Sequence, residues 1–107
     1  MDEMERITLV VPAKFWWDHD ARDCVNHGST AEVAGKGKVR VHLHPFDLAD
    51  LYSDADHYAD PYTAREMGEP GLASSARATM RAIEKVVDAE TLKGYSEAWA
   101  AWEGAQR

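Results

Sequence analysis

The sequence has a single cysteine, no long hydrophobic run, and fewer Lys and Arg than Asp and Glu, 12 against 19. Each shortage excludes something. Cys24 alone cannot close a disulfide within the chain, which fits a reducing compartment and an expectation of cytoplasmic location. No stretch approaches the roughly 18 apolar residues that a membrane-spanning helix needs. The opening Met1-Asp2-Glu3-Met4-Glu5 is acidic with no apolar segment behind it, unlike a secretory leader. The formal net charge of −7 disfavours direct nucleic-acid binding and attachment to anionic lipid, since both rest on clustered cations. Catalytic motifs are sparse too. Gly35-Lys36-Gly37-Lys38 lacks the length and the following helix of a phosphate loop. Ser74 and Ser75 have no nucleophile-elbow context, and nothing beside Cys24 marks an activated thiolate. The residues thus make a weak case for an enzyme, without settling the question, and no catalytic residue or cofactor is assigned.

What is present is a globular composition, 45% hydrophobic and 29% charged over 107 residues, matching one domain spanning residues 1–107. Ile7, Leu9 and Val11 alternate through a strand over Glu5–Val11, and Pro12 suits the first turn of a helix running to about Asp23. Thr30–Ala34 and Val39–His44 read as strands joined by Gly35-Lys36-Gly37-Lys38, whose glycines allow a tight hairpin. Asp47 reads as the N-cap of a second helix striped by Leu48, Leu51, Tyr52, Ala55, Tyr58 and Ala59. Asp60–Gly71 reads as irregular, ending in a turn at Glu69-Pro70-Gly71. A third helix carries Leu72, Ala76, Thr79, Met80, Ile83, Val86 and Val87. A fourth, over about 90–103, carries Leu92, Tyr95, Trp99 and Trp102 despite Gly94. The order β-α-β-β-α-α-α predicts an α+β fold, a three-stranded, mainly antiparallel sheet with helices packed on it.

Phe15, Trp16 and Trp17 are consecutive, and on a helix they fan around the axis. Ala13, Trp17, Ala21 and Cys24 would share one side, and Phe15, His19 and Arg22 another, with Trp16 between. Each ring can bury ~150–250 Å². Leaving one in water forgoes on the order of several kcal/mol. Either later helices wrap the far side and these rings are core, or Phe15, Trp16, His19 and Arg22 form an interaction patch of the aromatic and arginine type found at hot spots. Trp99 and Trp102 pose the same choice at the C-terminus: docked within the chain, or an oligomerisation element.

Cys24, His27, His42 and His44 hold potential zinc ligands, since two histidines at i and i+2 on a strand point to one face. The plainer reading has His42 and His44 lining the sheet face opposite Val39, Val41 and Leu43, so no metal is assigned. Asp50, Asp54 and His57 share a helix face, most simply a solvated one. Charge is concentrated: Asp47–Pro70 holds seven acids against Arg65 alone, and the rest of the chain is nearly neutral. Such a segment would dock a cationic surface or compete with nucleic acid for one, or simply confer solubility. Arg77, Arg81 and Lys85 form a basic row on the third helix, placed to balance those acids.

Three stretches together carry a resemblance. They are Ile7-Thr8-Leu9-Val10-Val11-Pro12-Ala13-Lys14-Phe15 leading to Asp18-His19-x-x-Arg22, then Leu48-Ala49-Asp50-Leu51-x-Ser53-Asp54-Ala55-x-x-Tyr58-Ala59, and Ser75-Ala76-Arg77-Ala78-Thr79. They resemble a group of small proteins of unassigned function encoded by actinobacteria and their bacteriophages. The resemblance covers about residues 1–85 and leaves the Trp-bearing C-terminus outside it. It implies an accessory or host-interaction protein that works by binding another protein, and it transfers no site residue. The expectation is a non-enzymatic protein-binding module, engaging a partner or a second copy through an aromatic surface built on Phe15, Trp16, His19, Arg22, Trp99 and Trp102. Metal binding through the sheet histidines and an acidic surface antagonising a nucleic-acid-binding protein are the alternatives.

Overall fold

Alternating apolar side chains build the sheet, and the register keeps them on one face. In the computed structural model, which describes residues 5–18, 28–66, 68 and 71–105, the strands are β1 (Ile7–Pro12), β2 (Thr30–Gly35) and β3 (Lys38–Leu43). β3 is central, antiparallel to both neighbours, in the order β1-β3-β2. Leu9 lies opposite Val41 and Val11 opposite Val39, so Leu9, Val11, Val39, Val41 and Leu43 form one buried face. Thr8, Val10, Arg40 and His42 take the other. A slip of one residue would turn the whole apolar set into water, which is why this register is strongly specified. Lys36-Gly37 makes the β2–β3 turn, with Gly37 at φ 71°, a left-handed conformation that glycine adopts without a Cβ clash.

Four α-helices follow: α1 (Pro45–Ala59), α2 (Pro61–Glu66), α3 (Leu72–Val86) and α4 (Ala89–Ala105). α1 begins earlier than an Asp47 cap would allow. His44 is its N-cap, with the ring Nδ1 accepting from the Phe46 amide at 3.0 Å, and Pro45 takes the first helical position. Asp47 instead lies buried in the first turn, where its charge suits the positive end of the helix. The Ser29 hydroxyl donates to its carboxylate at 2.6 Å and accepts from the His44 amide at 2.9 Å, locking β3 to α1. The stretch expected to be irregular contains α2. Asp60 ends α1 and caps α2, accepting from the Tyr62 amide at 3.2 Å and the Thr63 hydroxyl at 2.9 Å, with Pro61 as the first helical residue. Glu69 and Pro70 of the expected turn lie outside the described residues.

α1 and α3 pack together over β1 and β3, and α4 packs along α1. Leu48, Leu51 and Ala55 of α1 meet Leu72, Ala73, Ala76 and Ile83 of α3 in a core shared with the inner sheet face. α4 contributes buried Leu92 and partly buried Tyr95. The Asp88 carboxylate caps it, accepting from the Thr91 amide at 2.7 Å, a bond that holds that carboxyl below its ordinary range. The C-terminal helix is thus docked within the chain and runs through Gly94.

After β1, the expected α-helix toward Asp23 is replaced in its described part by one π-helical turn, Lys14–Asp18. The Ala13 amide donates to the Gly37 carbonyl at 3.0 Å, so the chain stays tied to the hairpin beyond Pro12. The wider turn, with its i→i+5 spacing, sets adjacent side chains closer in direction than an α-helix would. Phe15 and Trp16 both enter the core, 1% and 2% exposed, Phe15 lying edge-on to Tyr58 of α1 with ring centroids 6.4 Å apart. Replacing either with alanine should therefore cost about 3–5 kcal/mol of unfolding free energy, read by denaturant titration. Ser75 offers a contrast, because its buried hydroxyl has no hydrogen-bond partner among the described residues. Ser75→Ala should leave stability unchanged or raise it by about 1 kcal/mol in the same titration.

Candidate functional site

Burial removes two members of the expected aromatic surface. Phe15 and Trp16 are core, because α1 and α3 close over the π-turn, and the exposed ring of the trio is Trp17, edge-on to Trp16 at 6.3 Å. His19 and Arg22 lie outside the described residues, as do Cys24 and His27. Trp99 is partly buried on α4, while Trp102 is more exposed and leans on Phe46 of α1 with centroids 6.2 Å apart. These rings do not converge into one patch with Phe15 and Trp16.

The acids and histidines also scatter. Asp47 is buried and so is not part of a solvated acidic face, while Asp60 is exposed and caps α2. His44 is buried at the start of α1, its ring 4.7 Å from Phe46. His42 lies on the outer face of the sheet, Nδ1 at 2.8 Å from the Thr8 hydroxyl and Nε2 at 3.0 Å from Glu32 Oε1. The two imidazoles are thus committed to different neighbours rather than to a shared ion. Among the described residues no group of three His, Cys, Asp or Glu side chains is arranged to hold a metal.

Thr8, His42 and Glu32 come from β1, β3 and β2, so this relay ties all three strands on the outer face. With the carboxylate accepting from Nε2–H, Nδ1 on the other side of the ring is within hydrogen-bond reach of the Thr8 hydroxyl. Hydroxyl, imidazole and carboxylate in that order is an arrangement that nucleophilic catalysis uses. Here it faces open solvent: neither groove described below includes any of the three. Its evident role is to hold the register of β1.

Among the described residues two grooves can be described. One lies between α3 and α4, about 470 Å³, with apolar walls of Val87, Ala89 and Leu92. The Tyr52 hydroxyl donates to Glu84 at 2.6 Å at its side, which pushes the phenol pKa up to about 12. The other, about 400 Å³, runs between β1 and α3. It is lined on the strand side by Leu9 from the inner face and by Val10 and Pro12 from the outer face, so it straddles the strand's free edge. On the helix side Ala78, Arg81, Ala82 and Lys85 recur at three- and four-residue spacing and Val86 closes the row. Two alanines facing the strand leave the space that larger side chains would fill.

Charge is unbalanced there. Arg77, first of the basic row, donates to the Ala59 carbonyl at 2.8 Å and satisfies the end of α1. Arg81 and Lys85 turn into the β1 groove, where Lys38 joins them from the sheet. Among the described residues none of these three has a carboxylate partner. Val10 and Val86, 40% and 49% exposed, flank the same groove. The sequence pattern puts both Val86 and Val87 on the apolar stripe of α3; Val87 is buried there, whereas Val86 is turned outward. A signal for Val10 was legible, since it is an apolar residue on the polar side of an alternating strand.

Comparison with protein-family models, curated proteins and solved structures finds no match to this chain. No helix among the described residues is long and apolar enough to cross a membrane.

The relay predicts a pH effect with a definite sign. Glu32's carboxyl is held below its ordinary value first by the hydrogen bond from His42, with the charges of His42 and Arg40 adding to it. A depressed folded-state value means stabilisation that is present above the unfolded-state value and lost as pH falls through the folded one. Glu32→Gln should therefore lower the melting temperature at neutral pH, and the gap to the parent protein should shrink as pH falls below the ordinary carboxylate range. A gap of constant size across that range would show that the relay contributes nothing.

Proposed function

We propose that this chain is a small, non-enzymatic protein-binding module whose docking surface is the groove between β1 and α3. The observation that carries this reading is the meeting of exposed Val10 and Val86 in one groove with Lys38, Arg81 and Lys85, along a strand edge that no other strand of the described sheet covers. Exposed apolar side chains gathered in one concavity mark interaction sites more often than scattered ones do, and about 400 Å³ falls within the range of ligand pockets. The resemblance to small actinobacterial and phage proteins supports a host or phage protein as the partner. The aromatic surface of the sequence reading gives way to this groove because Phe15 and Trp16 are buried.

The test is to select a random-peptide display library on the immobilised protein and map the selected peptides by backbone amide shifts. Perturbation should centre on Leu9–Pro12 and 78–86, and Ala82→Phe, which fills the groove from a partly exposed helix position, should abolish binding while circular dichroism stays unchanged. Peptides that map to Trp99 and Trp102 on α4, or no enrichment at all, would overturn the assignment.

A further inference from the structure

Resting on the groove reading above, we infer that the ligand is an extended, acidic peptide segment that adds to β1 as a fourth strand. Three independent features lead there. The first is backbone geometry. Among the described residues β1 is an edge strand with β3 on one side only, so alternate N–H and C=O groups along its other edge have no ladder partner there. A groove touched by both the inward Leu9 and the outward Val10 and Pro12 has that edge along its floor, which suits a strand rather than a helix. The Ala13 amide bonds Gly37, so by the alternation of an antiparallel ladder Val11 and Leu9 turn their amides to β3, and the outward donors are those of Thr8 and Val10; Pro12, next outward, has no N–H, so the added pairing ends there.

The second feature is shape. Side chains of an added strand alternate between two sides. Those turned toward α3 meet Ala78 and Ala82, small residues that leave room for valine-sized groups, while those turned outward lie beside Val10. The third is charge. In a chain of net charge −7, Lys38 stands at one side of the groove and Arg81 and Lys85, one helical turn apart, at the other, none with a carboxylate partner among the described residues. Carboxylates on a bound segment would supply those partners from both sides. Lysine and proline also serve in proteins simply to protect exposed strand edges from pairing, and that bland role gives opposite outcomes in the experiment.

The probe is a synthetic peptide of alternating glutamate and valine, titrated into the full chain by calorimetry and followed by amide shifts. Binding should shift the amides of Thr8–Val11 and slow hydrogen exchange at the outward-facing amides of Thr8 and Val10. A lysine–valine counterpart should not bind, nor should the glutamate–valine peptide N-methylated at every second amide, which removes the donors a ladder needs. Lys38→Gln, Arg81→Gln and Lys85→Gln together should weaken binding about tenfold, equivalent to about 1.4 kcal/mol, and raising salt should do likewise. Equal binding by the N-methylated peptide overturns strand addition, and unchanged affinity in the triple variant overturns the charge argument. If library-selected peptides map to the groove while the acidic strand peptide does not bind, docking stands and this inference falls. If neither maps there, both fall. Self-association of the triple variant without peptide binding, read by light scattering, would mean that the cations only guard the edge.

Discussion

Two helices cover a sheet of three strands, and the rest of the molecule follows from that mismatch. α1 and α3 pair closely because alanines at 55, 73 and 76 let the backbones approach, and the pair lies over β1 and β3. Leu9, Val11, Val39, Val41 and Leu43 are buried as a consequence. β2 extends past this cover, so Val33 is 76% exposed although it pairs with buried Val39. On the opposite side, the helix pair closes over the π-turn, and Phe15 and Trp16 fill the end of the core. Burial there sets which surface is left for other molecules.

The β1–α3 groove is a by-product of the same packing. Ala78 and Ala82 face the strand edge, and a helix with small residues at that position leaves a channel rather than a seal. β1 is held in register from both sides of the sheet: apolar pairing faces the helices, and the Thr8–His42–Glu32 relay crosses the outer face. An edge strand held this way is preorganised, which lowers the ordering cost of adding another strand. Rigid register and an open edge therefore belong together in the proposed function.

Polar side chains serve mainly at junctions. Ser29 and Asp47 fasten β3 to α1, Asp60 joins α1 to α2, Arg77 closes the end of α1 from α3, and Asp88 starts α4. Each satisfies backbone or side-chain groups that a helix end or strand end would leave without partners. Two acids of the acidic segment serve this way: Asp47 is buried, and Asp60 caps α2 while staying exposed.

Strand alternation, the hairpin glycines and the helical stripes were legible in the sequence because each is a local period, readable without knowing what lies across the fold. They determined the α+β class and the antiparallel sheet of β1, β2 and β3. The Asp60-Pro61 signal for α2 was equally local and was passed over, because an N-cap followed by proline resembles an ordinary turn. Three matters belonged to the tertiary structure alone. Which of Phe15, Trp16 and Trp17 would be buried depended on where α1 and α3 came to rest. The role of Asp47 depended on Ser29, brought to it from the far side of the β2–β3 hairpin. Lys38 shares a groove with Arg81 and Lys85 only because α3 returns to lie beside β1. Periodicity specifies which face a residue takes on its own element; what that face meets is decided by packing between segments distant in the chain.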